Sequence, residues 1–207
     1  ILNENYEELS RIFAITPTRK VVLRFLTPEE FHAQTGAPTW TSAMFFQGEI
    51  TVPLRSHGRV NSTQLRRALR HEYVHAVVAE LSNNRAPAWL DEGIAQLIEG
   101  QPNPLLGPAL RKWISHDSPL PLNWLENGFT TLDEKLVPTA YAQSLFATRT
   151  LVNSHGFPAV TAYLKRLGDG TESDVAFEEV FGKPLNDFER QLAPLVERWA
   201  QSRNPHP

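Results

Sequence analysis

The chain has no cysteine and only one methionine. Without thiols, disulfides and thiolate zinc sites are excluded, so any metal must rest on histidines and carboxylates. No apolar run approaches the roughly 20 residues that cross a bilayer as a helix. An excess of one charge is also missing: 20 Lys and Arg stand against 23 Asp and Glu, for a net charge of -3. That balance gives no support for a general affinity for nucleic acid or anionic membranes. There is no internal repeat and no low-complexity tract. The first residue is Ile1 rather than methionine, and no signal-like segment follows it. The expectation is a trimmed start, with a signal peptide, lipid anchor or further domain removed, and an extracytoplasmic location, periplasmic or secreted. Oligomeric state is not legible.

What is present is an ordinary globular composition. The 207 residues are 41% hydrophobic, enough for a sizeable core without staples. The expected organisation is one α+β domain over 1–207, with a small mixed β-sheet lobe at about 1–82 and a mainly helical lobe at about 83–207. Residues 4–14 read as an amphipathic helix through Tyr6, Leu9, Ile12 and Phe13. Lys20 to Leu26 reads as a strand. Thr27 and Pro28 open a short helix that ends near Thr35. Ala43 to Phe46 and Glu49 to Pro53 are strand-like pieces around Gly48, either a hairpin or one bulged strand. Ser62 or Thr63 can cap a helix that runs to Leu81 or Ser82 and is stopped by Asn83-Asn84. Pro87 starts another helix that ends at Gly100. Residues 101–137 read as a short helix near 105–115 and then an irregular loop. Helices are expected at about 139–154, 157–167, 173–181 and 185–201.

His71-Glu72-Tyr73-Val74-His75 is an HExxH pattern on the first long helix. Positions i and i+4 share one helix face, so both imidazoles can reach one ion. Glu72 projects beside the metal, where a carboxylate can take a proton from water whose pKa zinc has lowered. Such a site needs a third ligand and an open position. Glu92, in Trp89-Leu90-Asp91-Glu92-Gly93-Ile94-Ala95, is the candidate, because an antiparallel helix pair would return it beside His71 and His75. Gly93 would let backbone or metal approach closely.

HExxH followed by WLDEGIA resembles the gluzincins, the thermolysin-like and aminopeptidase clan, and in particular its compact peptidase-MA-like members. The resemblance implies a zincin-like fold with its cleft between the lobes, one zinc ion on His71, His75 and Glu92, and Glu72 as general base. It follows the order of elements over roughly residues 20–190 and is specific over 68–100. Gln96 stands where thermolysin-like enzymes often carry an aspartate that bonds a zinc-bound histidine, with Asp91 and Glu99 as other candidates for that support. Tyr141, at a helix start, is similar in context to the aminopeptidase tyrosine that stabilises the tetrahedral intermediate. Gln143 and Ser144 are weaker candidates for lining the cleft.

In gluzincins an edge strand pairs with extended substrate, and residues 42–51 sit where that strand should be. Phe45 and Phe46 replace the glutamate and asparagine with which aminopeptidases hold a free amino terminus, so an endopeptidase, or a cleft that takes apolar side chains, is expected. Glu49 reads as solvent-facing. Arg66, Arg67 and Arg70 read as a solvated face, though one could contact substrate or pair with an acid near the metal. His32, His57, His116, His155 and His206 lack ligand spacing and read as incidental. The implied activity is hydrolysis of peptide bonds in a peptide or protein substrate. The rivals are a non-catalytic peptide- or protein-binding module on the same fold, and a zinc amidohydrolase of another amide.

Overall fold

A computed structural model of the chain describes residues 2–37, 41–54, 61–100, 103–129 and 132–202. The order of elements is α1 (Leu2–Phe13), β1 (Val22–Leu26), α2 (Pro28–Thr35), β2 (Met44–Phe46), β3 (Glu49–Pro53), α3 (Ser62–Ser82), α4 (Ala88–Glu99), α5 (Leu106–Ile114), a 3-10 turn (Leu122–Leu125), α6 (Val137–Gly168), α7 (Ser173–Phe181) and α8 (Leu185–Gln201). This is the expected α+β zincin-like arrangement, a small sheet near the start and helices thereafter. Among the described residues, no helix is long and apolar enough to cross a membrane.

The sheet order is β1-β3-β2. β1 runs parallel to β3, with Leu23 opposite Ile50, and β2 runs antiparallel to it, with Phe45 opposite Ile50. Gln47 and Gly48, at φ 48 and 86, form a two-residue turn with both central residues left-handed, the geometry that suits a tight hairpin. The open choice between hairpin and bulge thus resolves as a hairpin. Phe46 and Glu49 close it as a hydrogen-bonded pair, which makes Phe45 and Ile50 the next, non-hydrogen-bonded pair. The N–H and C=O of Phe45 therefore face away from β3, along the free edge of the sheet.

Helix α3 begins at an Asn61 cap, whose side chain accepts from the backbone N–H of Thr63 and Gln64 at 3.1 Å each. Asn61 was not the expected cap; Ser62 and Thr63 lie inside the first turn. Asn83 and Asn84 end the helix in left-handed conformations, φ 51 and 59, which asparagine tolerates better than most residues. The chain then turns into α4. Asp91 meets His75 while Glu99 meets Arg67, so rising numbers on α4 meet falling numbers on α3 and the pair is antiparallel. Glu80 of α3 accepts from Thr18 N, Thr18 Oγ1 and Arg19 N, which ties the segment before β1 to the same helix.

Helix α6 absorbs two expected helices, 139–154 and 157–167. Gly156 breaks its interior at φ 77, ψ 164, so the expected boundary survives as a kink. The loop expected at 116–137 contains the 3-10 turn, buried through Leu122 and Leu125. Helix α4 is buried between α3 and α6, with Trp89, Leu90, Ile94 and Ala95 at 0% exposure. Gly93 explains the closeness: a Cβ there would lie 2.5 Å from the Ser144 carbonyl of α6 and would collide with Thr148. The sequence left open whether this glycine admits backbone or metal; it admits the backbone of α6.

Gly93→Ala should force α4 and α6 apart and lower stability by about 1–3 kcal/mol, the usual range for overpacking a filled contact. Urea unfolding of the purified protein measures this. An unchanged midpoint would show that the two helices are not packed so closely.

Candidate metal centre

Arg67, His71 and His75 stand at i, i+4 and i+8 and form one stripe along α3. The two imidazole rings are 4.8 Å apart between centroids, edge to face. Glu92 comes to them from α4: its Oε2 lies 3.5 Å from His71 Nε2 and 3.9 Å from His75 Nε2. One ligand atom from each of the three residues falls within 4.8 Å of the others, so the group can hold a metal ion. Glu92 Oε2 is itself buried and has no hydrogen-bond partner among the described residues. A buried carboxylate oxygen that has ion-pair neighbours at 3.5 and 3.9 Å but no hydrogen bond is incompletely compensated. A cation between it and two imidazole nitrogens completes that compensation, so the donor set fits a divalent ion of zinc type.

The far nitrogen of each ring is also engaged. His71 Nδ1 is 2.8 Å from Glu99 Oε2, and His75 Nδ1 is 2.8 Å from Asp91 Oδ1. These carboxylates accept from the Nδ1 side and leave Nε2 free to act as a ligand. The charges hold protons on the metal-free rings. Burial disfavours a charged His71, but Glu92 and Glu99 outweigh it and set its pKa well above the ordinary value. Against the same penalty, Asp91 and Glu92 raise His75 to about 9. Burial pushes the Glu92 pKa up, but the charges of His75 and His71 overcome this and hold it below the ordinary carboxylate value.

Glu72 is buried and faces the free edge of β2: its Oε2 accepts from the Phe45 main-chain N–H at 2.6 Å. Tyr141, near the start of α6, makes a long 3.5 Å contact from its hydroxyl to Glu92 Oε1. Its ring packs edge-on against Phe129. Burial, then Glu92 and Glu72, push the phenol pKa upward, so the group stays a neutral O–H donor. The centre opens onto a cleft of about 2480 Å³ lined by Met44, Phe45, Phe46, Leu106, Phe129 and Leu132 among others.

Several expectations need correction. Gln96 does not reach an imidazole: its amide donates to the carbonyls of Glu92 and Tyr141 at 3.1 Å, because it turns towards α6. Gln143 does not line the cleft; it is buried against Leu120, whose N–H donates to its Oε1 at 2.7 Å. Ser144 is buried at the α4–α6 contact. Of the three arginines, Arg66 pairs with Glu4 on an exposed face and Arg70 with Glu8, while Arg67 pairs with Glu99, the acid beside the metal group that one of them was expected to find. Glu49 is held by Arg24 at 2.8 Å and accepts from Thr51. His32 contacts the Ala37 carbonyl and His155 packs against Phe181. His116 lies in an exposed turn, and His57 and His206 lie outside the described residues. Sequence reading missed the Phe45 amide at Glu72, since no side-chain pattern marks a main-chain donor.

Among protein-family models, that of the Peptidase MA superfamily matches residues 33–198. That span runs from within α2 into α8 and includes every residue of the centre. No curated protein matches the chain.

Metal binds neutral imidazole, so an ion must displace the protons that the carboxylates hold on His71 and His75. Titrating metal-free protein with Zn2+ at pH 7 should release roughly two protons per ion, the count of protonated ligands. The share due to His75 should vanish as pH rises through about 9. Calorimetry in buffers of different ionisation enthalpy reads the number; release near zero at pH 7 would contradict the charge state described.

Proposed function

The chain belongs to the Peptidase MA superfamily, and from that premise we propose that it is a zinc-dependent peptidase working as one catalytic domain, with the cleft between its two lobes. Membership supports a metallopeptidase-like function broadly. One observation carries the finer reading: the Glu72 carboxylate of the HExxH pattern meets the free strand edge at Phe45, directly beside the His71, His75 and Glu92 group. A carboxylate base, a metal-binding set and a main-chain edge not covered by another strand are what hydrolysis of an extended peptide needs in one place.

His71, His75 and Glu92 would hold the ion, and Asp91 and Glu99 would orient the two rings. Bound zinc would supply Lewis acidity towards the scissile carbonyl and acidify water at the open position. Glu72 accepts the proton of the attacking water and passes it to the leaving amine. Tyr141 donates its phenolic hydrogen to the developing oxyanion. The outward C=O of Phe45 offers an acceptor to the substrate main chain. Cleavage within a chain is favoured over removal of an amino-terminal residue. Glu49, the nearest acid along the hairpin, is already engaged by Arg24 and Thr51, and Phe45 and Phe46 offer no charge to a free amino group.

Glu72→Gln should lower turnover by about 10²–10⁴-fold while zinc content, measured by metal analysis, stays at one ion. Full activity of that variant on a substrate cleaved by wild type would refute the mechanism. Tyr141→Phe should lower kcat with little change in KM, the signature of a donor used only in the transition state. An equal rise in KM would instead make it a binding residue. A zinc-loaded wild type that cleaves nothing in a broad peptide library would point to a binding module.

A further inference from the structure

The two metal-facing imidazoles are not held alike. Asp91, behind His75, has 30% of its side chain exposed. Glu99, behind His71, has 9%. A carboxylate so deeply placed needs a partner that offsets its lost hydration. Arg67 is that partner. Its Nε and Nη2 both donate to Glu99 Oε1, at 3.2 and 2.5 Å, which leaves Oε2 for His71 Nδ1 at 2.8 Å. The planar guanidinium sets the direction of the carboxylate, and the carboxylate sets the ring. Arg67 and His71 are one turn apart on the same helix, so the relay closes on the rigid pair α3 and α4 and does not depend on a loop.

We infer that Arg67 is a positioning residue for the metal centre, acting through Glu99 to keep His71 Nε2 directed at the ion. This rests on the metal reading given above. Removing the guanidinium takes away the fork that fixes Glu99 Oε1, so the carboxylate is free to swing towards solvent. That movement withdraws the acceptor from His71 Nδ1 and frees the ring to rotate or to adopt the wrong tautomer. The ordinary expectation for a surface ion pair is an effect near zero; this pair differs because its acid is buried and already bonded to a ligand.

The test is zinc affinity by competition with a chromophoric chelator, on wild type, Arg67→Ala, Arg67→Lys, Glu99→Gln and the double variant Arg67→Ala/Glu99→Gln, with thermal unfolding of each as a check on folding. Arg67→Ala should weaken zinc binding about 10–100-fold, the usual effect of losing an outer partner of a ligand. Arg67→Lys keeps the charge but not the fork, so its loss should be smaller; it also serves if the alanine variant does not fold. In the Glu99→Gln background the arginine change should add less than about twofold, because both act on one bond. Wild-type affinity in both arginine variants, or losses that multiply independently with Glu99→Gln, would overturn the relay. Wild type that binds no zinc would overturn the metal reading beneath it, and the wild-type titration alone reveals that case.

Discussion

Helix α4 lies so close to α6 that no atom larger than hydrogen fits at Gly93, and the rest of the site depends on that contact. The residue just before it, Glu92, must stand within 3.5–3.9 Å of two imidazole nitrogens on α3. A helix pressed between two others has little freedom to slide or roll, since packed interiors resist small displacements. The same seating brings Asp91 and Glu99 behind His75 and His71. The carboxylates belong to one short helix, so they move together or not at all.

Crowding Glu72, Asp91, Glu92 and Glu99 around two imidazoles is unfavourable unless positive charge joins them. In the metal-free protein the protons on His71 and His75 supply part of it, and Arg67 another part. The buried oxygen of Glu92, near both rings but without a hydrogen bond, shows where the remaining charge is wanted. A dication in that position serves every donor at once, which is why the arrangement reads as a metal centre and not as an ordinary ion-pair network.

The sheet contributes through its geometry more than its side chains. A two-residue turn fixes which residues of β2 bond to β3 and which face outward. Phe45 faces outward, and its amide meets Glu72. The exposed ring of Phe46 stands in the cleft with Phe129 and Leu132. The nearby acid Glu49 is occupied by Arg24. The strand edge and the helix pair thus meet at a single carboxylate.

Much of this was legible in the sequence because it is local. The i, i+4 spacing of His71 and His75, the Thr27 cap, the asparagine pair at the end of α3 and the glycines at helix ends act over a few residues, and short-range sterics and hydrogen bonds decide them. Most helix bounds follow from such signals, while the choice of Glu92 as the third candidate ligand rests on an expected antiparallel helix pair and on the gluzincin resemblance. The departures share one cause, contact between distant segments. Gln96 turned to α6 instead of an imidazole because α6 presents carbonyls there, and Gln143 and Ser144 were buried by Leu120 and Gly93. Glu72 found a main-chain amide 27 positions away. The sequence alone determined which side chains share a helix face. Only the tertiary structure decided which partner each one meets, because that depends on how closely whole helices and strand edges approach, and the approach is set by packing across the entire fold.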